Sequence, residues 1–199
     1  MLDTILSRWP ATRHIQFALA GALFRLGLGA NRTTILSVGT GLLAGFAFAR
    51  DSTIAGVALL GTSALLDAVD GTIAREFAAA TVLGGILDVC CDRVVEIAVI
   101  IGISWRRPEL YLPALILVGS WYLNITVFLA TGAALEHRGP KLIDYPPGII
   151  ERTELIIFFV FLALLPQFGP WLCYAYTGLE LMTAAQRLLF ARRMLSGEG

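Results

Sequence analysis

Six apolar segments, each long enough to cross a lipid bilayer, follow one another along this 199-residue chain. A membrane-spanning helix needs about 20 mostly apolar residues. Charged residues, prolines or polar loops separate the segments, which are 33–49, 52–74, 78–105, 110–135, 149–165 and 171–190. In the whole chain 57% of the residues are apolar and 15% are charged, whereas an average globular domain has about 25% charged residues. The sequence therefore predicts an all-α integral membrane protein with six transmembrane helices.

The charge balance excludes other classes of protein. Fifteen basic and fifteen acidic residues give a formal net charge of zero, whereas a nucleic-acid-binding protein needs a basic face. A disordered chain needs low hydrophobicity and high net charge, but the mean hydropathy here is +0.75. We therefore expect one helical membrane domain and no nucleic-acid partner.

The basic residues are distributed unequally between the two ends of the predicted helices. With the N-terminus in the cytoplasm, only Arg50, Arg106 and Arg107 lie on the far side, and Arg93 lies within a helix. The eleven cytoplasmic residues are Arg8, Arg13, Arg25, Arg32, Arg75, Arg138, Lys141, Arg152, Arg187, Arg192 and Arg193. Because cytoplasmic loops carry an excess of Lys and Arg, we predict that both termini are cytoplasmic. The small size favours the inner membrane of a prokaryote.

Residues 1–30 differ from the six apolar segments. Arg13 and Arg25 interrupt the apolar run at 11–29, and Arg25 would be unfavourable in the middle of a span. An amphipathic helix lying in the membrane interface fits this pattern better, and a poorly formed seventh span is the alternative. The chain is thus divided into an interfacial helix at 1–30 and a six-helix domain at 31–199.

Four aspartates lie within the apolar segments. Asp67 and Asp70 are three residues apart, and Asp88 and Asp92 are four apart, so each pair shares one face of a helix. A short turn joins the two helices, which predicts that they are antiparallel neighbours with the four carboxylates facing each other. Ionisable groups inside a membrane cost roughly 2.5–3.5 kcal/mol each on insertion scales, so they are functional candidates.

Divalent metal ions can compensate for four carboxylates in a dry site. Oxygen ligands without His or Cys favour Mg²⁺, Mn²⁺ or Ca²⁺, and a two-metal carboxylate site suits phosphoryl or phosphodiester transfer. Arg75 lies at the same end of the helix pair and can hold a phosphate. Gly71 and Gly84 remove side chains where helices or substrate approach closely.

The spacing of these residues resembles the motif of the CDP-alcohol phosphotransferase family. Every fixed position is filled in the pattern Asp67-x-x-Asp70-Gly71-x-x-Ala74-Arg75, eight residues, Gly84-x-x-x-Asp88-x-x-x-Asp92. The element Asn31-Arg32-Thr33-Thr34 is similar to the Asn-x-x-Thr element of the family, although Ala30 stands where the family often has Pro.

The resemblance implies an enzyme of phospholipid biosynthesis. It would move a phosphatidyl-type group from a CDP-linked donor, usually CDP-diacylglycerol, to a small alcohol and release CMP. It implies a two-metal site for Mg²⁺ or Mn²⁺ held by Asp67, Asp70, Asp88 and Asp92, with Asp92 also the general base. The implied CDP site comprises Asn31, Asp67, Asp70, Gly71, Ala74, Arg75, Gly84 and Asp88. A homodimer surrounded by membrane lipid is implied in the same way.

The acceptor alcohol is not identified by the sequence. Residues 84–93, 150–154 and 186–187 are most similar to the bacterial phosphatidylinositol-phosphate synthase branch of the family, which gathers cations around an acceptor phosphate. Arg187 matches one of these cations, but Leu155 replaces another, and residues 121–126 lack the basic residues of the fourth helix. Each lost charge-assisted contact would cost about 1.5–3 kcal/mol, which argues against inositol phosphate. Asn124, Arg152 and Arg187 are the predicted acceptor-binding residues.

Two questions stay open at the level of sequence. Glu180, midway along the last apolar segment, either pairs with Arg93 or contacts substrate. The aspartates also suit a divalent-cation transporter, which would show metal flux and no response to CDP compounds. A non-catalytic membrane protein that retains the motif by descent is the third hypothesis.

Overall fold

The described part of the chain is helical throughout. The computed structural model describes residues 10–77, 80–136, 150 and 152–196, and within them lie seven α-helices and two 3₁₀ turns. The helices are α1 Pro10–Arg25, α2 Ala30–Ala49, α3 Thr53–Glu76, α4 Val82–Ser104, α5 Tyr111–Glu136, α6 Arg152–Leu164 and α7 Gly169–Ser196. The turns Pro108–Leu110 and Pro166–Phe168 precede α5 and α7. The predicted all-α class is confirmed.

Each of the six predicted segments corresponds to one helix, α2 to α7. The start of α4 moves from the predicted residue 78 to Val82 because Thr81 caps the helix, its hydroxyl accepting a 3.0 Å hydrogen bond from the Gly84 N–H. The helix α7 continues to Ser196, six residues beyond the prediction. Residues 1–9, 78–79, 137–149, 151 and 197–199, which include Arg8, Arg138, Lys141 and Glu151, lie outside the described residues.

Three helical segments are long and apolar enough to cross a membrane, namely Ala30–Ala49, Thr53–Glu76 and Pro108–Ala134. The pair α6 and α7, bent by 108° at its break, makes a fourth if it counts as one span. The helix α4 has 23 residues, about 35 Å at 1.5 Å per residue, but it carries four ionisable side chains. The 13 residues of α6 reach only about 20 Å. The part of the chain that the structure describes therefore contains three or four candidate spans.

The helix α2 packs against both α3 and α4, whereas α3 and α4 approach each other closely at few points. The predicted direct packing of α3 against α4 is therefore wrong, although aspartates of the two helices converge as predicted. Small residues on α2 allow this arrangement. A Cβ at Gly45 would lie 2.5 Å from the Ala98 carbonyl oxygen of α4. On the other side, Ser37 and Ser63 each donate a hydrogen bond to the carbonyl of the other, at 2.8 and 2.7 Å.

The contact between α2 and α4 predicts a strong effect of one methyl group. We expect Gly102→Ala to destabilise the protein by about 1–3 kcal/mol, because the new Cβ would overlap the Gly45 carbonyl. Gly119→Ala in α5 is the matched control, since its Cβ would meet nothing within 4 Å. Thermal unfolding in detergent measures both variants, and equal midpoints would contradict this account of the packing.

The helix α1 packs against the end of α3. Ala20 is fully buried in a cluster with Ile73, and the Phe77 ring lies 5.1 Å from that of Phe17 and 5.6 Å from that of Phe24. Several other apolar side chains of α1 are exposed. The helix is thus fixed to the protein on one side, and its place in the membrane interface stays a prediction.

Candidate active site

Three aspartates from α3 and α4 form a candidate metal centre. One carboxylate oxygen from each of Asp67, Asp70 and Asp88 lies within 4.8 Å of the other two. Asp70 is 4% exposed, and its Oδ2 atom has no hydrogen-bond partner. A buried carboxylate oxygen without a donor is unfavourable, so a cation is the ligand that it fits. A donor set made only of oxygens is the set that Mg²⁺ and Mn²⁺ prefer.

A cavity of about 660 Å³ opens beside the three aspartates. We call it the nucleotide cavity because seven of the eight residues predicted for the CDP site line it: Asn31, Asp70, Gly71, Ala74, Arg75, Gly84 and Asp88. The two glycines keep its wall open. A Cβ at Gly71 would lie 3.1 Å from the Arg75 guanidinium, and one at Gly84 would lie 3.0 Å from the Thr81 hydroxyl. The structure therefore brings the motif together around one space.

A second cavity, of about 250 Å³, lies among α4, α5, α7 and the start of α6. Its wall contains Asp92, the predicted general base, and the three predicted acceptor-binding residues Asn124, Arg152 and Arg187. We call this space the acceptor cavity. The sequence predicted Asp92 from the motif and the other three residues from three other helices. In the structure all four line the same cavity. Their roles stay predictions.

Arg152 lines the acceptor cavity and also binds one aspartate of the three-aspartate cluster. Its Nη2 atom lies 2.9 Å from Asp67 Oδ1, and its Nη1 atom donates a hydrogen bond to Asp92 Oδ1. Asp92 is therefore separated from the three converging aspartates, whereas the sequence predicted four carboxylates facing each other. The guanidinium neutralises one carboxylate on each side, which explains how so many acidic groups are accommodated in a partly buried site.

Polar side chains from α4, α5 and α7 form a network along the acceptor cavity. Arg187 Nη1 donates to Asn124 Oδ1 at 2.7 Å, and Asn124 Nδ2 in turn donates to Glu180 Oε2. Arg93 forms its ion pair with Glu96, one turn away on the same helix, at 2.6 Å. The alternative in which Arg93 pairs with Glu180 is therefore wrong, and the Glu180 carboxylate faces the cavity.

Three further residues of this cavity were missed as site residues. Glu96 follows Asp92 by four positions, as Asp92 follows Asp88, so the same helical spacing could have identified it. Trp121 and Tyr176 also line the cavity and are 5% and 6% exposed. In an apolar sequence such aromatics are typical of helix packing, and nothing in their spacing distinguishes them.

Comparison with known sequences decides the family. The sequence profile of the CDP-alcohol phosphatidyltransferase family matches residues 28–190. The chain belongs to this family. Phosphatidylinositol phosphate synthase of Mycobacterium tuberculosis is 28% identical over 205 residues, which cover 95% of this chain and 90% of that protein. Archaetidylinositol phosphate synthase of Pyrococcus horikoshii is 30% identical over 174 residues, which cover 87% of this chain and 88% of that protein.

Solved structures show the same fold. The M. tuberculosis phosphatidylinositol phosphate synthase with CDP-DAG bound superposes with a TM-score of 0.74 at 24% identity, covering 89% of this chain and 94% of that one. The same enzyme in complex with manganese and citrate gives a TM-score of 0.72, covering 88% of each chain. This chain is thus a CDP-alcohol phosphatidyltransferase whose three-aspartate cluster has the ligands to hold a divalent metal ion.

Proposed function

We propose that this enzyme transfers a phosphatidyl-type group from CDP-diacylglycerol to the hydroxyl of a small acceptor and releases CMP. The observation that carries the proposal is the presence of two cavities, one lined by the predicted donor residues and one by the predicted acceptor residues. One contains the residues of the nucleotide motif and the other contains Asp92, with the three-aspartate cluster nearby. A transfer reaction between a nucleotide-linked donor and a separate acceptor needs two such spaces close together.

The residues divide the chemistry between them. A bound divalent metal neutralises pyrophosphate charge and stabilises the leaving CMP, and Asp67, Asp70 and Asp88 would hold it. Asp92 accepts the proton of the acceptor hydroxyl, a role that contributes about 10²–10⁴-fold to the rate. A second metal ion beside Asp92 is part of the proposal. Arg75, exposed at the nucleotide cavity, contacts a donor phosphate.

The proposal places the protein in the membrane with six spans and both termini in the cytoplasm. It counts α4 as a span because its ionisable side chains face the cavities, Glu96 being 7% exposed. The opposite face is apolar, with Val94, Ile97 and Ile101 44–51% exposed. The proposal also counts α6 and α7 as two separate membrane spans. The interfacial α1, a prokaryotic inner membrane and a homodimer complete this placement.

Release of CMP by the purified full chain tests the proposed function. We expect CMP to appear when CDP-diacylglycerol, Mn²⁺ and one of the following acceptors are present: glycerol 3-phosphate, inositol phosphate, inositol, serine or choline. The lipid product, identified by mass spectrometry, should carry the acceptor. Failure to bind CDP-diacylglycerol in the presence of Mn²⁺ would contradict the proposal, and Mn²⁺ flux into liposomes without CMP release would favour transport.

A further inference from the structure

Four side chains of α5 and α7 are joined by contacts along the acceptor cavity. Asn124 and Phe128 are four residues apart on α5, and Glu180 and Arg187 are seven apart on α7, so each pair lies on one face of its helix. The two helices pack along each other, and all four side chains line the cavity. None of the contacts that join them involves Asp92 or the three-aspartate cluster, where the metal ions would bind.

The Asn124 amide makes a contact at each of its two ends. Its Oδ1 atom accepts a 2.7 Å hydrogen bond from Arg187 Nη1, and its Nδ2 atom donates to Glu180 Oε2. An ionised carboxylate only accepts hydrogen bonds and a guanidinium only donates them. A reversed amide would therefore lose both contacts. The Glu180 carboxylate thus fixes the orientation in which the amide presents its oxygen to Arg187.

Arg187 is held by Phe128 as well as by Asn124. The Arg187 Cζ atom lies 4.9 Å from the centroid of the Phe128 ring, and a guanidinium over an aromatic ring is attracted to its face. A long side chain has many rotamers, so two separate contacts restrict where this guanidinium lies. Asn124 and Glu180 are 8% and 6% exposed, whereas Arg187 is partly exposed. Arg187 is therefore more accessible to a ligand than the two buried residues that orient it.

We infer that Asn124, Glu180 and Phe128 are positioning residues, which act on the acceptor through Arg187. The inference rests on the proposed function and deepens its acceptor site. Arg187 donates to an oxygen of the acceptor, while Asn124 and Phe128 hold its guanidinium and Glu180 holds the Asn124 amide. The role of Asn124 is thus to orient Arg187 and not to contact the acceptor itself.

A double-mutant cycle tests whether Asn124 acts through Arg187. Asn124→Leu removes both amide contacts at similar size, and Arg187→Met removes the guanidinium but keeps an apolar stem. The full chain in lipid nanodiscs, with CDP-diacylglycerol and Mn²⁺, is assayed with whichever of the five acceptors named above gives the fastest CMP release. Each single variant should raise the KM of that acceptor at least about tenfold, and the double variant should resemble Arg187→Met. Effects that multiply in the double variant would overturn the inference, because Asn124 would then contact the acceptor itself.

Comparison of KM with kcat separates positioning from a general loss of structure. A misfolded fraction lowers the apparent kcat and leaves KM unchanged, whereas a displaced Arg187 raises the KM of the acceptor and not that of CDP-diacylglycerol. Thr126→Leu is the matched control, since Thr126 is an exposed residue of the same helix that lines neither cavity. An unchanged acceptor KM in Asn124→Leu would overturn the inference. Absent Mn²⁺-dependent donor binding by the wild type would instead contradict the proposed function itself.

Conservative variants test the other two positioning residues. Phe128→Tyr keeps the aromatic ring and should keep the acceptor KM, whereas Phe128→Leu should raise it roughly two- to fivefold. Glu180→Gln can present either end of its amide to Asn124, so it should raise the acceptor KM less than Asn124→Leu does. It should have no effect in the Arg187→Met background, and it serves if Asn124→Leu does not fold. Equal KM in the two Phe128 variants and an unchanged KM in Glu180→Gln would overturn the assignment of these residues.

Discussion

Asp92→Asn is expected to lower kcat by about 10²–10⁴-fold while Mn²⁺-dependent binding of CDP-diacylglycerol persists. The amide has nearly the shape of the carboxylate but cannot accept the proton of the acceptor hydroxyl. Asp92 lines the acceptor cavity and not the nucleotide cavity, so the donor should still find its site. CMP release measures turnover, and retention of labelled CDP-diacylglycerol on the protein measures binding.

Asp51→Asn is the matched control for this substitution. Asp51 is an exposed aspartate whose ion pair with Arg106, at 3.0 Å, involves no residue of either cavity. Its backbone has φ of 59°, a conformation that Asn adopts readily, so the change should be silent. Near-normal turnover of Asp92→Asn under the same metal conditions would show that another group takes the proton. Loss of donor binding would instead assign Asp92 to the nucleotide site.

The sequence predicts that the residues of the nucleotide side lie together because most of them are close in the chain. All but one of its predicted residues come from the turn between α3 and α4 and the helix ends beside it. Helical spacing alone puts such residues on one face. The packing of α2 between α3 and α4 was not predictable in the same way. It depends on the small residues of α2, such as Gly45, and their role becomes visible only when the opposing Ala98 is known.

The acceptor side depends on contacts between residues far apart in the chain. Arg152 binds Asp92 across 60 positions, and Arg187 binds Asn124 across 63. The resemblance to a family singled out these cations, but no spacing rule joins them to their partners. The prediction of four facing carboxylates was incomplete for this reason, since it did not include the Arg152 guanidinium between Asp67 and Asp92.

The two sides of the site therefore call for different experiments. The nucleotide cavity contains most of the residues of the family motif, namely all except Asp67 and Asp92. The acceptor cavity contains Glu180, which the motif does not include. Substitutions in the first cavity test donor binding, whereas substitutions in the second test proton transfer at Asp92 or the choice of acceptor.

Asp70→Asn is expected to reduce Mn²⁺ affinity at least roughly 100-fold, more than is typical for the loss of a residue that only supports a metal ligand. The Oδ2 atom of Asp70 is buried and accepts no hydrogen bond. One carboxylate oxygen of Asp70 lies close to one oxygen each of Asp67 and Asp88. Isothermal titration with Mn²⁺ measures the affinity. Activity of the wild type should disappear with EDTA and return with Mn²⁺, and the variant should need far more Mn²⁺ for the same recovery.

Thermal unfolding without metal shows whether Asp70 is a metal ligand or only stabilises the fold. In the metal-free protein Asp70 adds a negative charge beside Asp67 and Asp88, and like charges in one site repel. Asp70→Asn should therefore unfold at the same temperature as the wild type or higher in EDTA, and it should gain less stability than the wild type when Mn²⁺ is added. Asp51→Asn should follow the wild type in both conditions. A variant that is less stable in EDTA but binds Mn²⁺ normally would make Asp70 a packing residue and leave the metal to other carboxylates.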